Sequence, residues 1–198
     1  AYKFFGPHIG VVYMKKELGE DFKSVRVYAE DNADMPTKLE TGTLSVASVC
    51  GATAAVEFIA DLGDKYEECF ADELEDAEGR RRKIMAGMMA IDSYEESIVG
   101  RIRTELGKIE GLKLYMAPED CPKTTTVSFT IDGINSAEAG KFLADKGIFV
   151  WNGDFYALEV VYNVLGLGKQ GGLVRIGLAP YNTEQEIDRL IDAIKEFA

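Results

Sequence analysis

The chain opens with Ala1-Tyr2-Lys3-Phe4-Phe5-Gly6-Pro7-His8-Ile9-Gly10-Val11-Val12-Tyr13, in which a lysine precedes a Gly-Pro turn and a short apolar run. The run is rich in β-branched residues, so the sequence predicts a strand over residues 9–14 that leaves the turn. Lys3 would lie just before the turn, with constrained backbone on both sides. A primary amine held in this way can act as a covalent catalyst, because it forms Schiff bases with carbonyl groups. The local pattern by itself favours an ordinary surface lysine.

The segment Tyr2–Gly10 resembles the cofactor-lysine segment of the class V aminotransferases, in their cysteine desulfurase-like branch. Two later segments match the same family in order and at suitable distances, so that the resemblance covers essentially the whole chain. These segments are Glu40-Thr41-Gly42-Thr43, and Val174-Arg175-Ile176-Gly177-Leu178 with Tyr181-Asn182-Thr183 and Glu186-Ile187-Asp188. In that family the lysine lies near the middle of the polypeptide. Because it is the third residue here, the chain is expected to be a C-terminal half whose N-terminal half is missing.

The resemblance implies a fold class, α/β of the pyridoxal-phosphate-dependent transferase type (fold type I). Residues 1–95 would be the C-terminal part of the large cofactor-binding domain. Residues 96–198 would be the small α+β C-terminal domain, and the alternation of strands and helices in this part is typical of a helical layer on a small sheet.

The resemblance also implies roles for individual residues. Lys3 would bind pyridoxal 5'-phosphate as a Schiff base and then move the α proton of an amino-acid substrate. Tyr2 replaces the histidine that typically precedes this lysine in the desulfurases, and its phenol could donate a hydrogen bond to the phosphate. Gly42 and Thr43 would reach the cofactor phosphate of a neighbouring subunit, which would make a homodimer obligatory.

Arg175 would hold the α-carboxylate of the substrate, for which the guanidinium fork is well suited. The residue pattern alone leaves other interpretations open. Gly42 and Thr43 are equally typical of a turn before a helix. Arg175 could be an ordinary strand residue that faces solvent. His8 is more typical of a turn residue with a structural role.

The largest departure from the family pattern lies at residues 147–160, where the desulfurases carry a loop cysteine that attacks the substrate sulfur. Tyr156 occupies the position of that cysteine, and none of the three cysteines of the chain is close to it in sequence. Because the nucleophile must accept the sulfur, desulfuration of the usual kind is not expected. Asn152, Asp154 and Tyr156 could instead form a polar wall that sets substrate specificity. The alternative is a plain turn, since Asn-Gly and Gly-Asp are common turn pairs.

The composition limits the partners. The net charge of −12, from 22 basic and 34 acidic residues, argues against nucleic acid or an anionic membrane surface as a partner. Three widely spaced cysteines without a metal-binding spacing predict no metal site and favour a reducing cytoplasm. No signal peptide is visible, and no apolar run looks long enough to span a bilayer.

Hydrophobic periodicity and turn residues predict the remaining elements. Residues 17–37 are predicted to be irregular, and residues 64–78 are predicted to form a helix or an exposed acidic insert. The predicted helices are Ser45–Leu62, Lys83–Leu106, Ser136–Lys146, 157–165 and Thr183–Phe197. Gly63 is expected to end the first, Ser136 to cap the third, and a Thr183–Glu186 capping box to open the last. The predicted strands are 112–115, 126–131, 148–151 and 173–179.

Together these patterns predict a pyridoxal-phosphate-dependent transferase or lyase that acts on an amino acid, and the chain alone is expected to be inactive. The alternative is a non-catalytic C-terminal fragment or pseudoenzyme module that serves dimerisation or partner binding.

Overall fold

The computed structural model describes residues 1–25, 34–40, 42–118 and 120–198. The chain divides into two compact units, Ala1–Met89 and Ala90–Ala198. The domains expected from the family resemblance, 1–95 and 96–198, stay a prediction about the whole protein.

The first unit is helical in the residues that the structure describes. Its elements are a 3-10 turn at Tyr2–Phe4, helix α1 at Lys16–Asp21, a 3-10 turn at Thr37–Leu39, helix α2 at Val46–Tyr66, a 3-10 turn at Glu67–Phe70, and the first part of helix α3 at Gly79–Leu106.

Helices α2 and α3 approach each other closely at two glycines. A Cβ atom at Gly63 would lie 1.8 Å from the carbonyl oxygen of Lys83, and one at Gly87 would lie 1.9 Å from that of Ile59. Side-chain atoms never come so close, so only glycine permits this separation of the two backbones. The prediction that Gly63 ends α2 is wrong, because the helix continues to Tyr66 and uses Gly63 for packing.

The predicted strand at residues 9–14 is absent, and the chain there has no regular structure. A strand exists only when its backbone pairs with a neighbouring strand. No described residue of the first unit forms such a partner, and the side chains of Val12 and Tyr13 are 82% and 87% exposed.

One helical stretch, Val46–Phe70, is long and apolar enough to cross a membrane by length and composition alone. The prediction that no segment reaches this length is therefore wrong. The core helix of a soluble protein can have the same length and composition, so these two properties are weak evidence for a membrane span. Helix α2 also carries charged side chains that pair with side chains of α3. Glu57 pairs with Arg80, and Asp64 pairs with Lys83 at 2.8 Å.

The second unit is a four-stranded antiparallel sheet with helices on one face. Its strands are β1 at Leu112–Tyr115, β2 at Thr126–Ile131, β3 at Trp151–Gly153 and β4 at Leu173–Gly177, in the spatial order β1-β2-β4-β3. Helix α4 spans Ser136–Asp145, a π-helical turn spans Glu159–Val164, and helix α5 spans Glu184–Phe197.

The core of the second unit lies between the sheet and the C-terminal part of α3, α4 and α5. Burial alternates along β2, where Val127, Phe129 and Ile131 face this core, and Val174 and Ile176 of β4 join them. A smaller apolar cluster covers part of the opposite sheet face and contains Val161, Leu167 and Leu173. The sheet therefore has one fully covered face and one partly open face.

Several predicted elements of this unit are confirmed, namely α3, β1, β2 and α5. The capping box of α5 is present, with the Thr183 hydroxyl accepting from the Glu186 N–H and the Glu186 carboxylate accepting from the Thr183 N–H. β4 is confirmed but ends at Gly177 rather than at residue 179.

Three details differ from the prediction. Asn135 caps α4, because its side chain accepts from the Ala137 N–H, whereas the Ser136 hydroxyl donates to the Gly171 carbonyl. The strand predicted at 148–151 begins only at Trp151, where pairing with β4 begins. The predicted helix at 157–165 is a π-helical turn.

We expect Gly87→Ala to lower the free energy of unfolding by about 1–3 kcal/mol, because the new methyl group would overlap the Ile59 carbonyl. The matched control is Gly100→Ala on the same helix. No heavy atom lies within 4 Å of a Cβ there, so this change should be neutral or stabilising by up to about 1 kcal/mol. Urea unfolding measures both. Equal effects of the two substitutions would contradict the close helix contact.

Glu105 links α3 to α5. It accepts hydrogen bonds from Lys108 at 2.5 Å and from Lys195 at 2.9 Å, and these bonds lower its pKa to about 2. A depressed carboxyl pKa contributes stability above the usual pKa of 4.5, and this contribution is lost as the pH falls towards 2. Glu105→Gln should therefore weaken the fall in stability across this range, as measured by urea unfolding at several pH values. Glu110→Gln is the control and should leave the acid dependence as in the parent chain.

Candidate functional site

Lys3 lies in a 3-10 turn that packs on helix α2. Phe5, which follows the turn, has a left-handed backbone (φ 68°), and its ring meets Phe58 of α2 edge-on at 6.1 Å between centroids. Pro7 lies against Gly51, where a Cβ would be 3.1 Å from the proline Cγ. These two contacts fix the backbone after Lys3 against a long helix.

The Lys3 amine is exposed and lies over an aromatic stack. Its Nζ atom is 4.9 Å from the centroid of the Tyr2 ring, and that ring stacks on His8 with centroids 5.2 Å apart and planes parallel within 1°. Among the residues that the structure describes, no carboxylate pairs with Lys3. An exposed cation–π contact contributes only about 0.5–1 kcal/mol, so the amine is accessible for reaction.

Gly42 and Thr43 lie in an exposed segment just before α2. No heavy atom lies within 4 Å of a Cβ built at Gly42, so the backbone there is open to approach. Thr41, which belongs to the same matched segment, lies outside the described residues. Within the described part of the first unit, no hydrogen bond or ion pair joins Gly42 or Thr43 to Lys3.

Arg175 lies in β4, and its direction follows from the alternation of that strand. Val174 and Ile176 face the helical core, so Arg175 faces the partly open side of the sheet. It is in register with Ser128 of β2 and Trp151 of β3. The carbon at the centre of its guanidinium lies 4.4 Å from the centroid of the Phe155 ring.

A tight turn over residues 154–157 places Phe155 beneath Arg175. The Ala157 N–H donates to the Asp154 carbonyl at 2.8 Å, and Phe155 and Tyr156 both have positive φ, 57° and 64°. Two successive left-handed residues define a type I′ turn, which strongly favours asparagine and glycine. Large aromatic residues in these positions store backbone strain of about 1–2 kcal/mol each.

Asp154 holds this turn with both carboxylate oxygens. One accepts from the Tyr156 N–H at 2.9 Å, and the other accepts from the Tyr162 hydroxyl at 2.9 Å. The bond to Asp154 raises the pKa of Tyr162 above its ordinary value, because it favours the protonated phenol. Tyr156 itself points into solvent and is 97% exposed.

Asn152 lies on the other face of the sheet. It is paired with Val174, a core residue, and its side-chain oxygen would lie 2.8 Å from a Cβ built at Gly140 of α4. The structure therefore brings Arg175 close to Phe155 and Trp151, and it separates Asn152 from that group. The wall proposed from Asn152, Asp154 and Tyr156 is divided between the two faces.

The sequence pattern does not identify Phe155 and Trp151 as neighbours of Arg175, or Tyr162 as the hydrogen-bond donor to Asp154. Trp151 could have been found from strand pairing, because it directly opposes Arg175. Tyr162 is eight residues from Asp154, and no local pattern connects them. Among the described residues, no cluster of three or more histidine, cysteine, aspartate or glutamate side chains is arranged to hold a metal ion.

Comparisons with known proteins give one consistent result. The family model described as Aminotransferase class-V matches residues 1–77 and 83–190. A probable cysteine desulfurase of Mycobacterium leprae is 25% identical over 98% of the chain, and an aminotransferase-like protein of Gibberella zeae is 27% identical over 98%. The chain spans only 42% and 44% of these two relatives.

Solved structures show the same fold. A cysteine desulfurase from Thermococcus onnurineus in its apo form superposes with a TM-score of 0.66 at 19% identity, and it covers 93% of the chain. A cysteine desulfurase from Escherichia coli superposes with a TM-score of 0.57 at 24% identity over 82% of the chain. The chain covers 42% and 33% of these two structures.

We expect Tyr156→Gly to raise the free energy of unfolding by about 1 kcal/mol, because glycine adopts a positive φ without strain and the lost side chain is almost fully exposed. Tyr156→Ala is the matched control. It removes the same ring but keeps the Cβ atom, so its stability should be close to that of the parent chain. Chemical unfolding of both variants is the measurement, and a gain of the same size from alanine would contradict backbone strain at Tyr156.

Proposed function

The chain belongs to the class V aminotransferase family, and we propose that it forms the C-terminal part of a pyridoxal-phosphate enzyme that acts on an amino acid. Proteins of this family use pyridoxal 5'-phosphate, which draws electrons from the α-carbon of a bound amino acid. The observation that carries the proposal is the accessible amine of Lys3 on a segment fixed to α2.

Lys3 is the residue that would hold the cofactor and move the α proton. A lysine does both tasks only if its amine can lose a proton and reach its target. The contact with the Tyr2 ring is weak, and no described carboxylate competes for the amine. Tyr2 is proposed to contribute its hydroxyl to the phosphate, while its ring is fixed by stacking on His8.

Gly42 and Thr43 would bind the cofactor phosphate in a homodimer. The open backbone at Gly42 and the exposed Thr43 hydroxyl suit an anion. No hydrogen bond or ion pair joins them to Lys3 within the described part of one chain, which is compatible with binding across a subunit interface. The N-terminal half that the relatives possess would provide the remaining groups of the site. The proposed location is the cytoplasm, which suits three free cysteines.

Arg175 would hold the α-carboxylate of the substrate. A guanidinium on the open sheet face, without a described acidic partner, has its fork available for a bidentate contact. Tyr156 lies at the position of the loop cysteine of the desulfurases and has no sulfur with which to accept sulfur. We therefore propose a transferase or lyase reaction that does not pass sulfur to this loop, with Tyr156 in contact with the substrate and Asn152 supporting β3 from the helix side.

The test compares thermal unfolding with and without pyridoxal 5'-phosphate, in the gene product that contains residues 1–198 and in the chain itself. A ligand at 100 times its Kd stabilises the native state by about 2.7 kcal/mol. This corresponds to a rise in Tm of roughly 5–10 °C for a protein of this size. Lys3→Arg keeps the positive charge but cannot bond to an aldehyde, so the rise should largely disappear.

Lys16→Arg is the matched control, because Lys16 is also exposed and, among the described residues, forms only a surface ion pair with Glu20. It should retain the full rise in Tm. If the gene product shows no shift, or if Lys3→Arg shifts as much as the parent, the enzyme proposal fails. A non-catalytic module that serves dimerisation or partner binding would then be the better description.

A further inference from the structure

The guanidinium of Arg175 lies close to aromatic residues. Its central carbon is 4.4 Å from the centroid of the Phe155 ring, and Trp151, the residue opposite Arg175 on β3, is 62% exposed. Tyr156 extends from the same turn into solvent. We call Trp151, Phe155 and Tyr156 the aromatic rim.

The carboxylate next to the rim, that of Asp154, is bound within its own turn. Both oxygens of Asp154 accept hydrogen bonds, one from the turn backbone and one from Tyr162. Among the residues that the structure describes, no acidic side chain pairs with Arg175. The guanidinium of Arg175 therefore has no described ion-pair partner with which an anion from solution would have to compete.

The Phe155 ring determines what lies beside an anion bound to Arg175. Its centroid is 4.4 Å from the guanidinium carbon, so a carboxylate that binds the N–H groups of Arg175 is held next to an aromatic ring. The group attached to that carboxylate then lies next to the rim. An apolar ring in this place would bury aromatic surface, whereas a small or charged group would leave it in water.

The strained turn is consistent with a binding role. A type I′ turn is formed most easily by asparagine and glycine, yet this chain places two large aromatic residues there and holds them with Asp154. Strained backbone of this kind is found where the side chains are needed in a particular direction.

We propose that the aromatic rim determines substrate specificity and that Arg175 receives the carboxylate of an amino acid with an aromatic or large flat apolar side chain. This inference rests on the proposed function, because it names the substrate class of the same Arg175 site. Phe155 and Trp151 are the specificity residues, Tyr156 closes the outer side, and Asp154 is a positioning residue that acts through the turn.

The chain contains a single tryptophan, so its fluorescence reports on the rim directly. The experiment titrates the 198-residue chain, without cofactor, with 3-phenylpropionate and with propionate at constant ionic strength. We expect a saturable change in Trp151 fluorescence and a Kd for 3-phenylpropionate that is roughly tenfold lower than that for propionate. 3-Phenylpropanol, which lacks the carboxylate, should bind more weakly than the acid.

Substitutions in the chain test which residues cause the preference for the aromatic acid. Phe155→Leu and Tyr156→Asn should reduce the preference for the aromatic acid, and Tyr156→Asn is the safer variant, because asparagine tolerates a positive φ and the side chain is exposed. Arg175→Lys should weaken the binding of both acids. Arg101→Lys is the matched control, since Arg101 pairs with Asp188 on α5, and it should leave both affinities unchanged.

Equal affinities for the two acids, or a preference that survives in both rim variants, would overturn the proposal. So would the absence of any saturable fluorescence change. Because the titration uses no cofactor, its outcome is separate from cofactor attachment at Lys3. If pyridoxal 5'-phosphate does not raise the Tm but 3-phenylpropionate still binds more tightly than propionate, the proposed enzyme reaction is rejected. If the Tm rises but the two acids bind equally, only the role of the aromatic rim in specificity is rejected.

Discussion

A β-strand points successive side chains to opposite faces, and this constraint positions the whole Arg175 group. Val174 and Ile176 must be buried against the helices, so Arg175 between them can only face the open side of the sheet. Its position in the middle of the sheet order then gives it a neighbour on each side, Ser128 and Trp151. A shift of one residue in the pairing of β4 would bury the guanidinium and expose the core.

The turn after β3 places an aromatic ring next to Arg175, which strand pairing alone does not do. Strand pairing sets the place of Arg175, and the turn adds the Phe155 ring 4.4 Å from its guanidinium carbon. That ring is held by a backbone conformation that aromatic residues rarely adopt, and Asp154 stabilises the conformation through two hydrogen bonds. The cysteine desulfurases with known structure and this chain share a fold, and a difference between them in the chemistry of this turn stays a prediction.

Patterns within one element were sufficient for most of the fold. The long α3, the alternating β2 and the capping box of α5 follow from periodicity and local capping, and all are present. Predictions failed where the outcome depends on a distant partner. Residues 9–14 are apolar enough for a strand but have none to pair with among the described residues, and Gly63 stays inside α2 because α3 approaches it.

The same limit applies to the site. Lys3, Gly42, Thr43 and Arg175 could be named from their motifs, and their roles stay predictions. The partners of Arg175 could not be named, because Phe155 reaches it through a strained turn and Tyr162 holds that turn from eight residues away. Asn152 is close to Tyr156 in sequence but faces α4, because neighbouring strand residues point in opposite directions.

The central claim is that Lys3 is the residue to which the cofactor attaches. Borohydride reduction of the gene product in the presence of pyridoxal 5'-phosphate, followed by peptide mapping, tests it most directly. We expect one reduced adduct, on Lys3, and a much lower yield of it in the 198-residue chain, which spans less than half the length of the relatives it matches. Adducts spread over exposed lysines such as Lys15 and Lys16, or none on Lys3, would contradict the claim.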